Sequence, residues 1–486
     1  MTIESTVRSN KELSLLEALI PLLFLIGLLT LNVLVFGDDA LSGSNQFVLL
    51  IGAAVAAIVG FMNKVSYDDM IAEVAENFKS TTGAILILLM VGALAGTWLL
   101  SGVIPAMIYY GLKILHPSIF LPATVVICSV ISVATGSSWT TSATVGIALI
   151  GIGKALGIPL GMTAGAVISG AYFGDKMSPL SDTTNLAAAM AKADLFQHIR
   201  YMALTTVPSI VITLVLFTVL GLTRDTSGSA DSTAMLTAIS DTFKISPLLF
   251  AVPIIVIALI IKKTKPLIAL FIGTILGGLF AIIFQPGIVT QVAGMETFDQ
   301  TAAYKGVMNA ITVDIAVETE DAALNDLFSA GGMKGMLGTI WLIMCAMVFG
   351  GVMDAIGALS RISQALLSMA KSVFGLFAAT VASALSLNVT ASDQYLSIVV
   401  TGKMFDKAYE ERGLAPENLS RTIEDAGTVT SVLIPWNTCG AYQSGVLGVS
   451  VGEYFIFAFF NLISPFMTLI FAMFGIKIKQ LVSKLD

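Results

Sequence analysis

Long apolar runs, broken by polar residues in two regions, constrain the fold of this chain more than any other feature. A helix that crosses a bilayer needs about 20 mostly apolar residues. Only 12% of the 486 residues are charged, against about 25% in a typical soluble protein, so lipid covers most of the surface. We therefore predict an all-α polytopic membrane protein and exclude a soluble enzyme. The unbroken runs lie at about 15–36, 47–62, 82–101, 203–223, 246–261, 267–285, 335–357 and 452–476.

Charge and cysteine usage exclude further classes. The net charge of -7 would repel phosphate, and no basic stripe offsets it, so nucleic acid is not an expected partner. Cys128, Cys345 and Cys439 stand alone in apolar sequence without metal-ligand spacing. No phosphate-binding loop is present. The sequence therefore predicts no cofactor and no nucleotide-driven step.

The two halves of the chain repeat each other. Thr135 and Ser137 recur as Thr390 and Ser392, 255 positions later, and the offset becomes 256 near Pro179 and Pro435. We predict two repeats, 1–223 and 224–486. The same offset of 255 relates Gly83, Ile85, Gly96 and Gly102 to Gly338, Ile340, Gly351 and Gly357.

Each repeat is expected to contain five full crossings, about ten in all, so the second repeat enters the membrane upside down. Discontinuous helices in inverted repeats are typical of secondary transporters, whose binding sites lie where the breaks meet. The alternative is that Gly and Ser runs, such as Gly170 to Gly174, only let helices approach closely. The interrupted regions predict one re-entrant hairpin and one broken helix per repeat, at about 119–157 and 163–197, and at about 373–404 and 420–447.

Basic residues predict the orientation. Lys262, Lys263 and Lys265 follow an apolar run, and loops rich in Lys and Arg face the cytoplasm. Both termini are then expected to be cytoplasmic.

The breaks contain the candidate site. Hydroxyl, amide and carboxylate oxygens suit a hard cation such as Na⁺, and intramembrane carboxylates are usually functional. A carboxyl group there can hold a proton at one moment and a cation at another, which is the minimal chemistry of cation/proton exchange. The proposed carboxylates are Asp175, Asp182, Asp393 and Asp425. The proposed neutral ligands of the same Na⁺ or H⁺ site are Thr135, Ser137, Ser138, Thr390, Ser392, Thr428, Asn437 and Thr438.

Three further residues of the breaks are possible substrate or charge partners: Lys176, Glu424 and Asn185. Purely structural roles stay open at this stage. Asp175 could neutralise Lys176, and Glu424 could lie solvated at the cytoplasmic mouth of its helix.

The run Gly174-Asp-Lys-Met-Ser-Pro-Leu-Ser-Asp-Thr-Thr-Asn-Leu186, with Ala391-Ser-Asp-Gln394 and Pro435-Trp-Asn-Thr438, resembles the NhaC family of bacterial Na⁺/H⁺ antiporters in the ion transporter superfamily. The resemblance covers nearly the whole chain. It implies a multi-pass protein of the bacterial inner membrane, a scaffold with a mobile transport domain, and a homodimer with elevator motion.

The expected function is exchange of Na⁺ for H⁺ by alternating access. The family also includes an exchanger coupling Na⁺ and lactate to malate and protons, so Na⁺-linked exchange of small carboxylates is the alternative. In that case Lys176 or a helix amino terminus would meet the organic acid. An ion channel is the alternative from a different class.

Overall fold

The structure is a computed structural model that describes residues 13–36, 40, 43–223, 232–317 and 328–481. Eight helices in these residues are long and apolar enough to cross a membrane, or ten if two bent helix pairs each form one span. The prediction of an all-α polytopic membrane protein is confirmed.

The helices of the first half, in chain order, are α1 Leu15–Phe36, α2 Ser44–Met62, α3 Tyr67–Leu100, α4 Val103–Ile114, α5 Pro117–Thr135, α6 Ser138–Thr141, a π-helical turn Ser142–Gly146, α7 Ile147–Ala155, α8 Leu160–Met177, α9 Asp182–Met190 and α10 Leu195–Thr223.

The second half continues with α11 Ser232–Thr242, a 3₁₀ turn Pro247–Phe250, α12 Ala251–Ile261, α13 Pro266–Phe284, α14 Pro286–Ala293, α15 Gln300–Thr312, β1 Ile315–Ala316, β2 Ser329–Ala330, α16 Gly332–Gly335, α17 Leu337–Ala355, α18 Ala358–Ser368, α19 Val373–Thr390, α20 Gln394–Glu411, α21 Pro416–Ile423, a π-helical turn Glu424–Thr428, a 3₁₀ turn Ser431–Leu433, α22 Thr438–Leu447, α23 Val451–Tyr454, a 3₁₀ turn Phe455–Phe457 and α24 Phe459–Met473. The strands β1 and β2 pair antiparallel.

Each interrupted region contains one hairpin and one broken helix. The first hairpin turns between α5 and α6, where Gly136 adopts a left-handed φ of 69°. The second hairpin turns between α19 and α20, where Ser392 has a φ of 58°. The first broken helix is α8 and α9, and the second runs from α21 to α22 across its π-helical and 3₁₀ turns.

The helix pairings of the two halves mirror each other. Helix α2 packs on α17 as α13 packs on α3, while α3 meets α17 and α10 meets α24.

The two hairpins enter from opposite sides. The loop after α9 meets the second hairpin through an ion pair of Lys192 with Asp406, whereas beside the base of the first hairpin a Cβ atom at Gly161 would lie 2.3 Å from the carbonyl oxygen of Glu453 in α23. The repeats are therefore inverted, and their limits at 223 and 224 stay a prediction.

The helix starts correct the register of the duplication at the hairpin tips. Ser137 caps α6 and Asp393 caps α20, so the offset is already 256 there. An offset of 255, as predicted from Thr135 and Ser137, would instead pair Asp393 with Ser138, one position away. Gly102 and Gly357 precede equivalent helices at an offset of 255, whereas the next caps, His116 and Ser372, are 256 apart. The second repeat therefore gains its extra residue before the hairpin, between Gly357 and Ser372.

Small residues also serve close packing. A Cβ atom at Gly174 would lie 2.5 Å from the carbonyl oxygen of Ser129, and one at Gly170 would lie 2.3 Å from that of Val125. The glycines of α8 therefore let it approach the α5 backbone. Close packing and interrupted helices occur together in this chain, so the two interpretations of the Gly and Ser runs are not exclusive.

Candidate functional site

A cavity of about 560 Å³ lies between the first hairpin, the first broken helix and α3. It extends from the loop of Lys263, Thr264 and Lys265 to Asp175. The residues lining it are Ser80, Gly83, Ala84, Ile87, Thr135, Gly136, Ser137, Trp139, Thr140, Asp175, Leu180, Asp182, Thr183, Ile260, Lys263, Thr264, Lys265, Pro266, Gln394 and Tyr395.

Asp175 is the buried acid of this cavity. Its side chain is 8% exposed and lies in the last turn of α8, against the tip of the first hairpin. Ser138 donates to its Oδ2 twice, from the hydroxyl at 2.7 Å and from the backbone N–H at 3.1 Å. Asp182, at the start of α9, is exposed and lines the same cavity. The two halves of the broken helix thus bring two carboxylates to one space.

Neutral oxygens surround these acids. Thr135 and Ser137 line the cavity at the hairpin tip. Four further lining residues stand in or beside the polar runs of the breaks but were not among the predicted ligands: Thr140, Thr183, Gln394 and Tyr395. Asn185 is exposed, and its side-chain amide donates to the carbonyl oxygens of Pro179 and Ser181. These bonds stabilise the turn between α8 and α9.

The second hairpin tip forms a separate polar cluster. Both oxygens of Asp393 accept hydrogen bonds: Oδ1 from the N–H groups of Tyr395 and Leu396 at 2.8 and 3.1 Å, and Oδ2 from the Thr438 hydroxyl at 3.2 Å. The N–H of Thr438 donates to Ser392. Asp393 therefore caps α20 and joins the hairpin to the broken helix, outside the cavity lining.

The other members of this cluster are equally buried. Thr390 bonds within its own helix, and Asn437 caps α22 while donating to Asn388. The hydroxyl of Ser392 has no partner.

Lys176 pairs with Asp425, and both side chains are fully buried. This pair joins the two broken helices. The alternative that Asp175 neutralises Lys176 is contradicted, because Lys176 pairs with Asp425 of the second broken helix instead. Asp425 also accepts from three hydroxyls that lie in predominantly apolar spans outside the polar runs of the breaks: Thr205, Ser464 and Thr468.

Glu424 is fully buried in the π-helical turn, and neither of its carboxyl oxygens has a hydrogen-bond partner. The alternative that it is solvated at the mouth of its helix is therefore contradicted, because α21 adds two buried turns between Glu424 and the helix start. Thr428, in the same turn, also carries a buried hydroxyl without a partner.

The predicted residues thus separate into three places: the cavity, the second hairpin tip and the buried ion pair. In the described part of the chain, no three His, Cys, Asp or Glu side chains converge on one point. A cation in this cavity would consequently depend on neutral oxygens beside Asp175.

Inverted repeats, paired broken helices and a cavity that reaches carboxylate and hydroxyl side chains at one break define a secondary transporter. The comparison with known proteins is more specific. Residues 170–476 match the Na⁺/H⁺ antiporter family. The chain belongs to this family, the NhaC type of antiporter, and is a multi-pass membrane protein.

Three curated relatives show the range within this similarity. The Na⁺/H⁺ antiporter NhaC of Alkalihalophilus pseudofirmus is 39% identical over 88% of this chain and 90% of its own length. The malate-2H⁺/Na⁺-lactate antiporter of Bacillus subtilis is 37% identical over 89% and 88%. The arginine/ornithine antiporter ArcD of Halobacterium salinarum is 34% identical over 96% and 93%. All three names describe antiporters, so the class of transport is shared while the named substrates differ.

Proposed function

We propose that this protein exchanges Na⁺ for H⁺ across the bacterial inner membrane by alternating access. The observation that carries the proposal is the cavity that reaches the buried Asp175 between the first hairpin and the first broken helix. Asp175 is the central ligand, Asp182 and the hydroxyls of Ser138, Thr135 and Ser137 complete the set, and all are oxygen donors suited to Na⁺. Asp393 and Asp425 hold the surrounding elements in position.

The closed side of the molecule supports an elevator mechanism. Opposite the cavity, a Cβ atom at Gly445 of α22 would lie 2.4 Å from Oγ1 of Thr339 near the start of α17. Tyr442 donates to the Trp139 carbonyl at 3.0 Å and stacks on its ring. Because the cavity lies beside Lys263 and the positive-inside rule places that loop in the cytoplasm, this conformation is inward-facing, and both termini are cytoplasmic.

The inverted repeats predict the outward-facing conformation. Gly445 corresponds to Ala189 at offset 256, and Thr339 to Ala84 at offset 255. In this structure Ala84 lines the cavity and Ala189 is exposed. Helices α10 and α24 pack on the hairpins, so we include them with the hairpins and broken helices in the moving bundle. When this bundle moves outward, α9 should pack on α3 as α22 now packs on α17, bringing Ala189 to Ala84.

Paired cysteines test this exchange of contacts. The Ala84→Cys, Ala189→Cys protein should cross-link only in the outward-facing state, and Thr339→Cys, Gly445→Cys only in the inward-facing state. Cross-linking of both pairs under one locked condition would contradict the elevator. The wild-type chain, with its three buried cysteines, is the control.

Vesicles test the transport itself. Purified protein reconstituted with a pH gradient and no organic acid should dissipate that gradient when Na⁺ is added. Asp175→Asn should abolish this flux, whereas Glu76→Gln, at an exposed surface ion pair, should not. A wild-type protein without Na⁺-dependent proton flux would refute the proposal. Saturation and counterflow of ²²Na⁺ would separate an exchanger from an ion channel.

Exchange of a small organic substrate is the second candidate, and the size of the cavity favours it. About 560 Å³ exceeds many-fold the volume of roughly 30 Å³ that one water molecule occupies, and Lys263 and Lys265 lie at its mouth. Labelled malate, lactate, arginine and ornithine should be tested in the same vesicles, and saturable uptake of any of them would identify this function. We also propose a homodimer, which a mass measurement in detergent tests.

A further inference from the structure

Glu424 carries a carboxyl group that accepts no hydrogen bond in this structure. Its side chain is fully buried and both oxygens lack a hydrogen-bond partner. An ionised carboxylate in such a place is strongly disfavoured, so the group takes up a proton and becomes neutral.

The fold does not require a polar residue at this position. The equivalent residue of the first repeat, 256 positions earlier, is Ile168, which is fully buried in the apolar core. An isoleucine satisfies the same packing position in the other copy. The glutamate at 424 is consequently a departure from the symmetry of the two repeats that packing does not require. A role in transport would explain it.

The charges around Glu424 connect it to the cavity. Glu424 is adjacent in sequence to Asp425, whose ion-pair partner Lys176 is adjacent to Asp175. Five helices pack against its turn: α9, α19, α20, α21 and α24. Helices α19 and α24 carry no titratable side chain, whereas the start of α9 carries Asp182, α20 carries Tyr395, Lys403, Asp406, Lys407, Tyr409, Glu410 and Glu411, and α21 carries Glu417 and Arg421. Arg421, one turn earlier, has no hydrogen-bond partner either, and its guanidinium lies 4.5 Å from the centre of the Tyr201 ring. Glu424 is thus linked to Asp175 through the buried ion pair, although it does not line the cavity.

We propose that Glu424 carries the transported proton, at a site separate from the Na⁺ site at Asp175. This inference rests on the proposed function. A Na⁺ ion at Asp175 favours the ionised form of Glu424, whose O–H bond breaks and releases H⁺ to water on the inner side. After the bundle moves, the carboxylate takes up H⁺ from the outer side as Na⁺ leaves. The coupling is reciprocal, so a proton on Glu424 weakens Na⁺ binding.

Two separate sites predict a pH dependence that one shared carboxylate cannot give. As pH falls, protonation of Glu424 removes a negative charge near the Na⁺ site and raises the Na⁺ half-saturation concentration. The rise should stop once Glu424 is fully protonated, at about 5- to 150-fold for an ordinary coupling between sites. Competition at one carboxylate would instead continue, at about tenfold per pH unit below its pKa.

The decisive experiment compares two kinds of flux in the same vesicles. For Glu424→Gln we expect ²²Na⁺/Na⁺ exchange to persist and Na⁺ flux driven by a pH gradient to be lost. Asp175→Asn should lose both fluxes, and Glu76→Gln should keep both. Glu424→Asp retains a carboxyl group, so it should retain the Na⁺ flux that a pH gradient drives. The pH at which this flux is half-maximal should differ from that of the wild type.

Several outcomes would overturn the inference. Coupled flux at wild-type rates in Glu424→Gln would show that the proton travels elsewhere. Loss of ²²Na⁺/Na⁺ exchange in a monodisperse Glu424→Gln protein would place Glu424 in the Na⁺ site or in the structure. If Glu424→Gln does not fold, Glu424→Ile replaces it in both flux measurements. A wild-type Na⁺ half-saturation concentration that keeps rising as pH falls, without levelling off, would refute separate sites without any variant. Absence of all Na⁺-dependent proton flux in the wild type would instead refute the proposed function.

Discussion

The buried pair of Lys176 and Asp425 permits a prediction about stability with a defined magnitude. Both side chains are fully buried, and removing one member of such a pair leaves an unpaired charge, at about 3–5 kcal/mol. Lys176→Met should therefore lower the free energy of unfolding by about that amount. Asp425 keeps its hydroxyl donors Thr205, Ser464 and Thr468, so the loss from Lys176→Met should lie near the lower limit.

The other repeat suggests the compensating change. At offset 256, Lys176 corresponds to Val432 and Asp425 to Ser169, and both are fully buried. The double variant Lys176→Val, Asp425→Ser should consequently recover most of the stability that Lys176→Val alone loses, because no unpaired charge remains and hydrophobic replacement of a buried pair is often neutral or stabilising.

The measurement is the apparent melting temperature of the detergent-purified protein, followed by size-exclusion chromatography after heating. Wild type, Lys176→Val, Asp425→Ser and the double variant form a double-mutant cycle. A double variant less stable than either single variant would refute the argument, since it would mean that the pair stabilises the fold by more than mutual neutralisation. Glu76→Gln, at a surface pair, should change the melting temperature by little.

Three further predictions concern the hairpins. Ser138→Ala removes a hydrogen bond from the Ser138 hydroxyl to Asp175, worth about 1.5–3 kcal/mol. The Na⁺ half-saturation concentration from initial rates should therefore rise roughly 10- to 150-fold, without loss of the maximal rate. Complete loss of transport would indicate a structural role at the hairpin tip. Asp393→Asn preserves the cap of α20 and should retain both melting temperature and exchange, whereas Asp393→Ala should lose about 1 kcal/mol; loss of exchange in Asp393→Asn would restore the ion-binding role expected from the sequence. Gly174→Ala places a Cβ atom 2.5 Å from the carbonyl oxygen of Ser129, so it should destabilise the protein by about 1–3 kcal/mol. Thermal unfolding measures this effect, and an unchanged melting temperature would contradict the close packing of α8 on α5.

The sequence predicted the membrane class and the architecture because both depend on local patterns. Apolar runs of spanning length and the internal duplication need no knowledge of long-range contacts. The polar runs also located the helix breaks, since Gly136 and Pro179 interrupt otherwise apolar segments. Helix ends were less accurate: α3 begins at Tyr67, well before the predicted 82, because the capping box of Ser66 and Asp69 extends it through polar sequence.

The partners of the buried charges could not be predicted in the same way. Lys176 is adjacent to Asp175 in sequence, but consecutive helical residues point in different directions, and only the crossing of two broken helices from different repeats brings Asp425 to Lys176. Glu424 is likewise surrounded by segments that are distant in sequence, among them α9 of the first repeat and α24 of the second. Local patterns identified these residues as unusual, and the tertiary structure determined which of them meet.

The location of the charged groups within the moving bundle has an energetic consequence for the proposed elevator. Every described partner of Asp425 belongs to the broken helices or to α10 and α24, and none belongs to the scaffold helices α3 or α17. The ion pair can therefore cross the membrane field with its hydrogen bonds unbroken. Asp175 differs, because it faces a cavity whose other wall is α3. Movement of the bundle then changes the surroundings of the Na⁺ ligand while the neutralising pair beside it stays intact, so that ion occupancy, rather than repair of broken salt bridges, sets the energy difference between the two conformations.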